Sequence, residues 1–283
     1  MATLRMIRQR LVAVKNIQKV TRAMEAVAGS RLHRAQVKAT QIRPYLSAMK
    51  TLLTKVSRSS DIDQGKARKE IKRTAFVVVT ADRGLCGAYN SGVLHRAEQF
   101  LKKYTPQSVD LFLFGRKGGN HFRRQKWTVD TEVFDWGGKL PFDKITSLSN
   151  QWLQDYLSMK YDEVWILYTH FVNLLLREVR LERMLPLESF KDPLKEIEGP
   201  SEYIFETNPL QIYHEILPRY LAAKLQSVLN ESFASELAAR AIAMKSATHN
   251  AEDKIVELTQ LRNKVRQEGI TKEMLEISNA GRG

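Results

Sequence analysis

Residues 4–32, LRMIRQRLVAVKNIQKVTRAMEAVAGSRL, carry apolar side chains at Leu4, Ile7, Leu11, Val14, Ile17 and Val20, then at Met24, Ala28 and Leu32. Steps of three and four are the period of one face of an α-helix, and the pattern runs on through Ala35, Ala39, Ile42, Leu46, Met49, Leu53 and Val56. After Met24 the steps settle into near-regular alternation, the heptad mark of a narrow coiled-coil seam, with Pro44 the one local irregularity. A helix from about residue 3 to 57 would be roughly 80 Å long at 1.5 Å per residue, too long for one small domain to cover, so it must pair or project.

The other end of the chain supplies a partner. Thr207 or Asn208 can cap a helix with Pro209 in its first turn, and Ile216, Leu221, Leu225, Val228 and Ser232 continue at helical spacing. Pro218 is expected to kink or restart it. From Phe233 to Ala247 the stripe turns to Ala and Ser around Ile242, which lets two backbones approach closely. Ile255, Leu258, Leu261 and Val265 then restore a bulkier stripe before Gly269. The two ends read as antiparallel partners.

Between them the rhythm changes. After a charged stretch at Ser57–Arg73, the order is strand Ala75–Thr80, a Gly-bearing turn, helix Tyr89–Tyr104, strand Val109–Phe114, and Gly115, Gly118 and Gly119. A short helix, a strand region Trp127–Trp136, a helix Pro141–Leu157 and a strand Glu163–Phe171 follow, with further strands at Arg177–Leu187 and Tyr203–Glu206. Alternation of this kind marks an α/β sheet domain. The expected fold class is therefore α/β: a Rossmann-like sheet domain inserted between two long N- and C-terminal helices that form an antiparallel coiled coil. The expected division is 1–57 N-terminal coiled-coil helix, 58–73 charged linker, 74–206 α/β globular domain and 207–283 C-terminal coiled-coil helix.

With 283 residues and 43% hydrophobic content, the chain can bury a real core. Its 45 basic and 31 acidic side chains leave a formal charge of +14, which points to polyanionic partners without choosing among nucleic acid, anionic lipid and acidic protein. Cys86 is the only cysteine, so an intrachain disulfide is excluded and a reducing compartment is expected. No apolar run approaches the roughly 18–20 residues that cross a bilayer. Arg5, Arg8, Arg10, Lys15, Lys19 and Arg22 precede the first acid, as in a transit peptide, but the helical pattern runs unbroken past any cleavage point, so retention is expected.

The turn Thr80-Ala81-Asp82-Arg83-Gly84-Leu85-Cys86-Gly87-Ala88-Tyr89-Asn90 follows a strand, where α/β proteins often hold phosphate. It lacks the lysine and hydroxyl of a Walker loop, and no GxGxxG occurs, so Asp82, Arg83, Gly84 and Gly87 are read as a structural turn. Cys86 beside Arg83 could be an activated thiol, with a buried packing residue the plainer reading. The six histidines stand singly with no HxxxH pair, and no GxSxG elbow is present. No catalytic, cofactor-binding or metal-ligating residue is assigned, and no cofactor is expected. Nucleic-acid binding by the basic helices is weighed against a solvated or protein-facing charged shaft, which is preferred because no RRM, zinc-finger or KH signature accompanies the charge. An autonomous α/β enzyme with helical arms is the remaining alternative, and it would need a ligand pocket near the Asp82–Gly87 turn.

Val14–Ala28, VKNIQKVTRAMEAVA, resembles the N-terminal signature of the γ subunits of F-type ATP synthases, and Ser235–Ala251, SELAARAIAMKSATHNA, is similar to the family's C-terminal signature. Asp82–Gly87 is similar to its central Gly-rich turn, and the three motifs occur in the family's order along the whole chain. The resemblance implies a non-catalytic central-stalk rotor whose coiled coil lies inside the α/β hexamer of F1, and whose sheet domain meets ε and the membrane c-ring. It implies contact of Met24, Arg266, Gln267 and Thr271 with the β subunits, and of Tyr203, Phe205 and Glu206 with the rotor ring, where two neighbouring family positions, an aromatic and a proline, differ here. For Met24, coiled-coil seam packing is the competing reading. The resemblance further implies peripheral attachment at the cytoplasmic face of a bacterial plasma membrane, with membrane contact only through the complex and no nucleic-acid partner. Cys86 alone excludes the paired-cysteine redox switch of some photosynthetic relatives.

Overall fold

A computed structural model describes residues 4–59, 71–187 and 208–280. In chain order the elements are α1 (Leu4–Gln41), α2 (Arg43–Ser59), β1 (Thr74–Val79), α3 (Tyr89–Leu101), β2 (Val109–Phe114), α4 (Arg116–Phe122), a 3-10 turn, β3 (Thr128–Val133), α5 (Phe142–Leu157), β4 (Glu163–Phe171), β5 (Arg177–Leu185) and α6 (Pro209–Ala280). The strand expected at Tyr203–Glu206, Thr207 as a cap and most of the charged linker lie outside the described residues. The described chain falls into two units, Met1–Ser30 with Arg240–Gly283, and Arg31–Ala239.

In the larger unit the sheet order is β3-β2-β1-β4-β5, parallel except for the antiparallel edge strand β5. Every residue of β1 and β2 is buried, because both faces of the sheet are covered and neither side chain of the two-residue repeat meets water. Val77 and Val79 join Phe112, Ile166 and Trp152 of α5, together with Leu53 of α2 and Leu225 of α6. Phe76 and Val78 point the other way, to Val93, Ala97 and Phe100 of α3. Alternation along one strand thus sorts helices onto two faces.

Two prolines act differently on the helices. The long N-terminal helix breaks at Ile42 into α1 and α2, because Pro44 in the first turn of α2 has no N–H to continue the ladder. The C-terminal helix does not restart at Pro218: α6 runs on through it and is 72 residues long. Packing of Leu217, Tyr220 and Leu221 into the sheet core holds that turn in place. Asn208 caps α6, its Oδ1 accepting the Leu210 N–H at 3.0 Å.

Candidate partner-binding surfaces

From α1 through α2 the buried and half-buried positions include Leu4, Ile7, Leu11, Val14, Gln18, Thr21, Glu25, Ala28, Leu32, Ala35, Ala39, Ile42, Leu46, Met49, Leu53 and Val56. Steps of three and four alternate without exception, the strict 3.5 period of a coiled-coil seam. On α6 the matching line is Leu237, Ala241, Met244, Thr248, Ala251, Ile255, Leu258, Arg262 and Val265. In the smaller unit, Gln18 Nε2 donates to Glu252 Oε1 at 3.0 Å and Thr248 Oγ1 donates to Thr21 Oγ1 at 2.8 Å. One partner number rises as the other falls, so the helices run antiparallel.

Four expected seam residues, Ile17, Val20, Met24 and Leu261, are displaced. Ile17 and Val20 are 55% and 57% exposed, and Leu261 is 40% exposed. Gln18, Thr21 and Arg262 hold the corresponding seam positions, the first two because Glu252 and Thr248 satisfy their polar atoms across the interface. Ile17, Val20, Met24 and Val27, spaced three, four and three, therefore form a second apolar stripe on α1. Met24 is half-buried on its flank, one residue short of the seam at Glu25, and Val27 is exposed.

Val265 closes the α6 seam, and from Arg266 to Ala280 every residue whose side chain is described is exposed. Arg266, Gln267 and Thr271 lie there, with Thr271 Oγ1 returning a 2.9 Å hydrogen bond to the Gln267 carbonyl. Ile270, Met274, Leu275 and Ile277 on the same segment are exposed large apolar residues. Tyr203, Phe205 and Glu206 lie outside the described residues.

In the larger unit the turn after β1 is closed by its own groups. Thr80 Oγ1 accepts the Gly118 N–H at 2.9 Å, Asn90 Oδ1 accepts the Ala81 N–H at 2.9 Å, and Asp82 Oδ1 accepts the Arg116 N–H at 3.2 Å. Leu85 and Gly87 take positive φ of 62° and 55°. Arg83 is exposed, and the Lys117 side chain passes 3.7 Å from where a Cβ would stand on Gly84. Ala81, Cys86 and Tyr89 pack against Ala239 of α6, and Ser235 Oγ donates to the Thr169 carbonyl near the end of β4 at 3.1 Å. Doubly wound sheets bind ligands in the crevice where the strand order reverses, here between β1 and β4. In this chain α6 fills that crevice, and burial pushes the Tyr89 phenol well above its ordinary range.

The buried polar clusters have structural partners. Asp110 receives Arg73 and the Tyr161 hydroxyl, the latter at 2.9 Å. Glu231 joins Arg43 to His170, tying α2 and β4 to α6. Glu182 accepts from Lys224 and from Tyr168, whose phenol is pushed up by burial and by the neighbouring carboxylate. None of these three clusters was legible in the sequence, because each joins residues far apart in the chain. Among the described residues no group of three His, Cys, Asp or Glu could hold a metal ion, and no helix is long and apolar enough to cross a membrane.

A family model described as ATP synthase matches residues 3–281. The ATP synthase gamma chain of Protochlamydia amoebophila (strain UWE25) is 45% identical over 285 residues, covering 100% of this chain and 99% of that one. The ATP synthase gamma chain of Desulforudis audaxviator (strain MP104C) is 36% identical over 289 residues, covering 98% and 97%. Among solved structures, a chain of the Euglena gracilis mitochondrial ATP synthase rotor superposes with a TM-score of 0.67 at 16% identity, covering 94% of this chain and 98% of that one. A chain of the Tetrahymena thermophila mitochondrial ATP synthase central stalk/c-ring superposes with a TM-score of 0.61 at 20% identity, covering 81% and 99%.

Proposed function

The chain belongs to the family of ATP synthase gamma chains, and from that premise we propose that it works as the central-stalk rotor subunit of an F-type ATP synthase, itself non-catalytic. Its partners are the α and β subunits of the F1 hexamer, ε and the membrane c-ring. It couples ion-driven turning of the ring to the conformations of the catalytic β subunits, in residence at the cytoplasmic face of a bacterial plasma membrane. In this reading residues 1–57 and 207–283 form the shaft and 74–206 the globular domain.

One observation carries the reading: α1 bears two apolar stripes and α6 covers only one of them. Ile17, Val20 and Val27 remain exposed with Met24 half-buried beside them, and the α6 segment from Arg266 onward adds Ile270, Met274, Leu275 and Ile277. Rows of exposed large apolar side chains of this kind favour a protein-binding face over a solvated rod. Both stretches contain the residues assigned to the β subunits. The seam makes the helix pair stiff against bending, and the uncovered face is greasy and short on directional hydrogen bonds, so it can slide past successive neighbours without locking.

The mechanism follows from asymmetry. A shaft that is not threefold symmetric offers each of three β subunits a different surface, and a ligand shifts an equilibrium only through its differential affinity for the two states. Turning the shaft therefore changes which β subunit favours its open or closed nucleotide site, and by reciprocity nucleotide exchange favours one shaft angle. The chain's formal +14 assists, because charge attraction to acidic β segments tolerates small shifts in register.

The test is ATPase activity and gel-filtration size of co-expressed α and β subunits with and without this chain. A single large complex with steady turnover is expected with it, and Met24→Lys in that complex is expected to weaken coupling. A chain that elutes apart and leaves turnover unchanged would refute the rotor reading.

A further inference from the structure

Beside the junction of α1 and α2, within the larger unit, lies a cleft of about 830 Å³ bounded by the loop after β3, by α5 and by α6 around Pro218. Its size is in the range of small-molecule sites, roughly 300–1,000 Å³. The interior is apolar: Trp136, Ile145 and Leu229 are buried there and Leu140 is half-buried. The rim carries Lys38, Lys139 and Arg219, all exposed, against the single acid Glu215. None of the three cations makes an ion pair among the described residues.

The wall is built rather than incidental. Gly138 holds φ +75° against the Phe233 ring, where a Cβ would come within 2.2 Å of the ring carbons. The Trp136 and Phe233 rings lie 5.8 Å apart, and the Lys139 N–H donates to the Trp136 carbonyl at 2.7 Å. The loop is thereby fixed with its indole inward and its ammonium at the rim. On the facing helix, Thr146 joins Ile145 in the lining.

We propose that the cleft binds an amphiphilic anion, its apolar body against Trp136, Ile145 and Leu229 and its carboxylate or phosphate head among Lys38, Lys139 and Arg219. The lining favours both ion and body: an inorganic anion would leave the apolar interior wet, and an uncharged chain would gain nothing from the three rim cations. This binding is separate from the rotor reading, because none of the cleft residues belongs to the surfaces assigned to the β subunits.

The experiment is a tryptophan-fluorescence titration of the full-length chain with laurate and with dodecyl phosphate, each below its micellar concentration, and with dodecyl maltoside as the uncharged-head probe. Saturable binding of one or both anions is expected, with the signal lost in Trp136→Phe; which anion binds more tightly separates carboxylate from phosphate ligands. Lys139→Glu with Arg219→Glu is expected to weaken it about tenfold or more, equivalent to about 1.4 kcal/mol. Lys102→Glu with Lys103→Glu alters net charge equally at the end of α3, on the other face of the sheet, and is expected to leave it unchanged. Circular dichroism checks folding of each variant, and Lys38→Glu serves the same comparison if the double reversal does not fold. Equal weakening by both double reversals, maltoside binding as tight as either anion, or no saturable binding would each overturn the proposal.

Discussion

Thr21 and Thr248 meet hydroxyl to hydroxyl at 2.8 Å, both buried between the antiparallel helices, and Thr21 passes its own proton on to the Gln18 carbonyl at 3.1 Å. A polar pair inside the seam favours one axial register, because sliding breaks the hydrogen bond between the two hydroxyls. Replacing Thr21 by Val is expected to destabilise the chain by about 1 kcal/mol, and adding Thr248→Val to recover most of it. A double-mutant cycle on the full-length chain by denaturant unfolding measures the coupling, and additive effects would mean that the hydroxyls do not interact.

Gly115 and Gly29 are expected to respond oppositely to alanine. Gly115 has φ +90° and a Cβ there would stand 2.2 Å from the Thr80 carbonyl oxygen, so Gly115→Ala should cost several kcal/mol or abolish folding. Gly29 is exposed within α1 with nothing within 4 Å of an added Cβ, and Gly29→Ala should stabilise by roughly 0.5–1 kcal/mol. Thermal unfolding of the two variants beside the parent gives both signs.

Glu182 gives a pH signature. Burial pushes its carboxyl upward, but the Lys224 ammonium, its hydrogen bond and the Tyr168 hydroxyl outweigh this and hold it below the usual carboxylate range. A depressed folded pKa contributes stability that is present above the unfolded value and lost as pH falls through the folded one. Lys224→Met is expected to cost about 1–3 kcal/mol at pH 7. The gap to the parent should shrink as pH falls, starting where the variant's carboxyl, no longer held down by Lys224, takes up a proton in the folded chain, and closing once the parent's depressed carboxyl does the same. Unfolding measured from pH 3 to pH 7 checks it, and a gap constant across that range would assign the loss to packing.

Cys86 is buried, with the Asn90 side-chain amide donating to its sulfur at 3.1 Å. A thiol enclosed between Ala81, Tyr89 and Ala239 should react with a maleimide only as fast as the turn opens. Labelling is expected to be at least about a hundredfold slower in the native chain than in denaturant. Native labelling at the denatured rate would favour an accessible, activated thiol.

Arg266→Ala, Gln267→Ala and Thr271→Ala together remove exposed side chains, of which Thr271 hydrogen-bonds within its own helix to the Gln267 carbonyl. Stability of the isolated chain should change by less than about 0.5 kcal/mol, while ATP-driven turnover of the assembled complex falls. Equal turnover with and without the triple substitution would remove these residues from the coupling surface.

Much of this architecture was readable along the chain because it rests on local period and local stereochemistry. Steps of three and four from Leu4 to Val56, the short apolar run of β1 and the missing N–H of Pro44 each act within a few residues of themselves. The phase of the seam at Gln18 and Thr21 was not readable, since a polar residue belongs in a seam only when Thr248 and Glu252, more than 220 residues away, stand opposite to satisfy it. For the same reason sequence alone assigned Ile17 and Val20 to the buried stripe, and only tertiary pairing turned them outward beside Met24. The turn at Asp82–Gly87 announced itself through its glycines; that Ala239 and Ser235 of α6 occupy the strand-end crevice depended on a helix packing at a distance in sequence that no local pattern encodes.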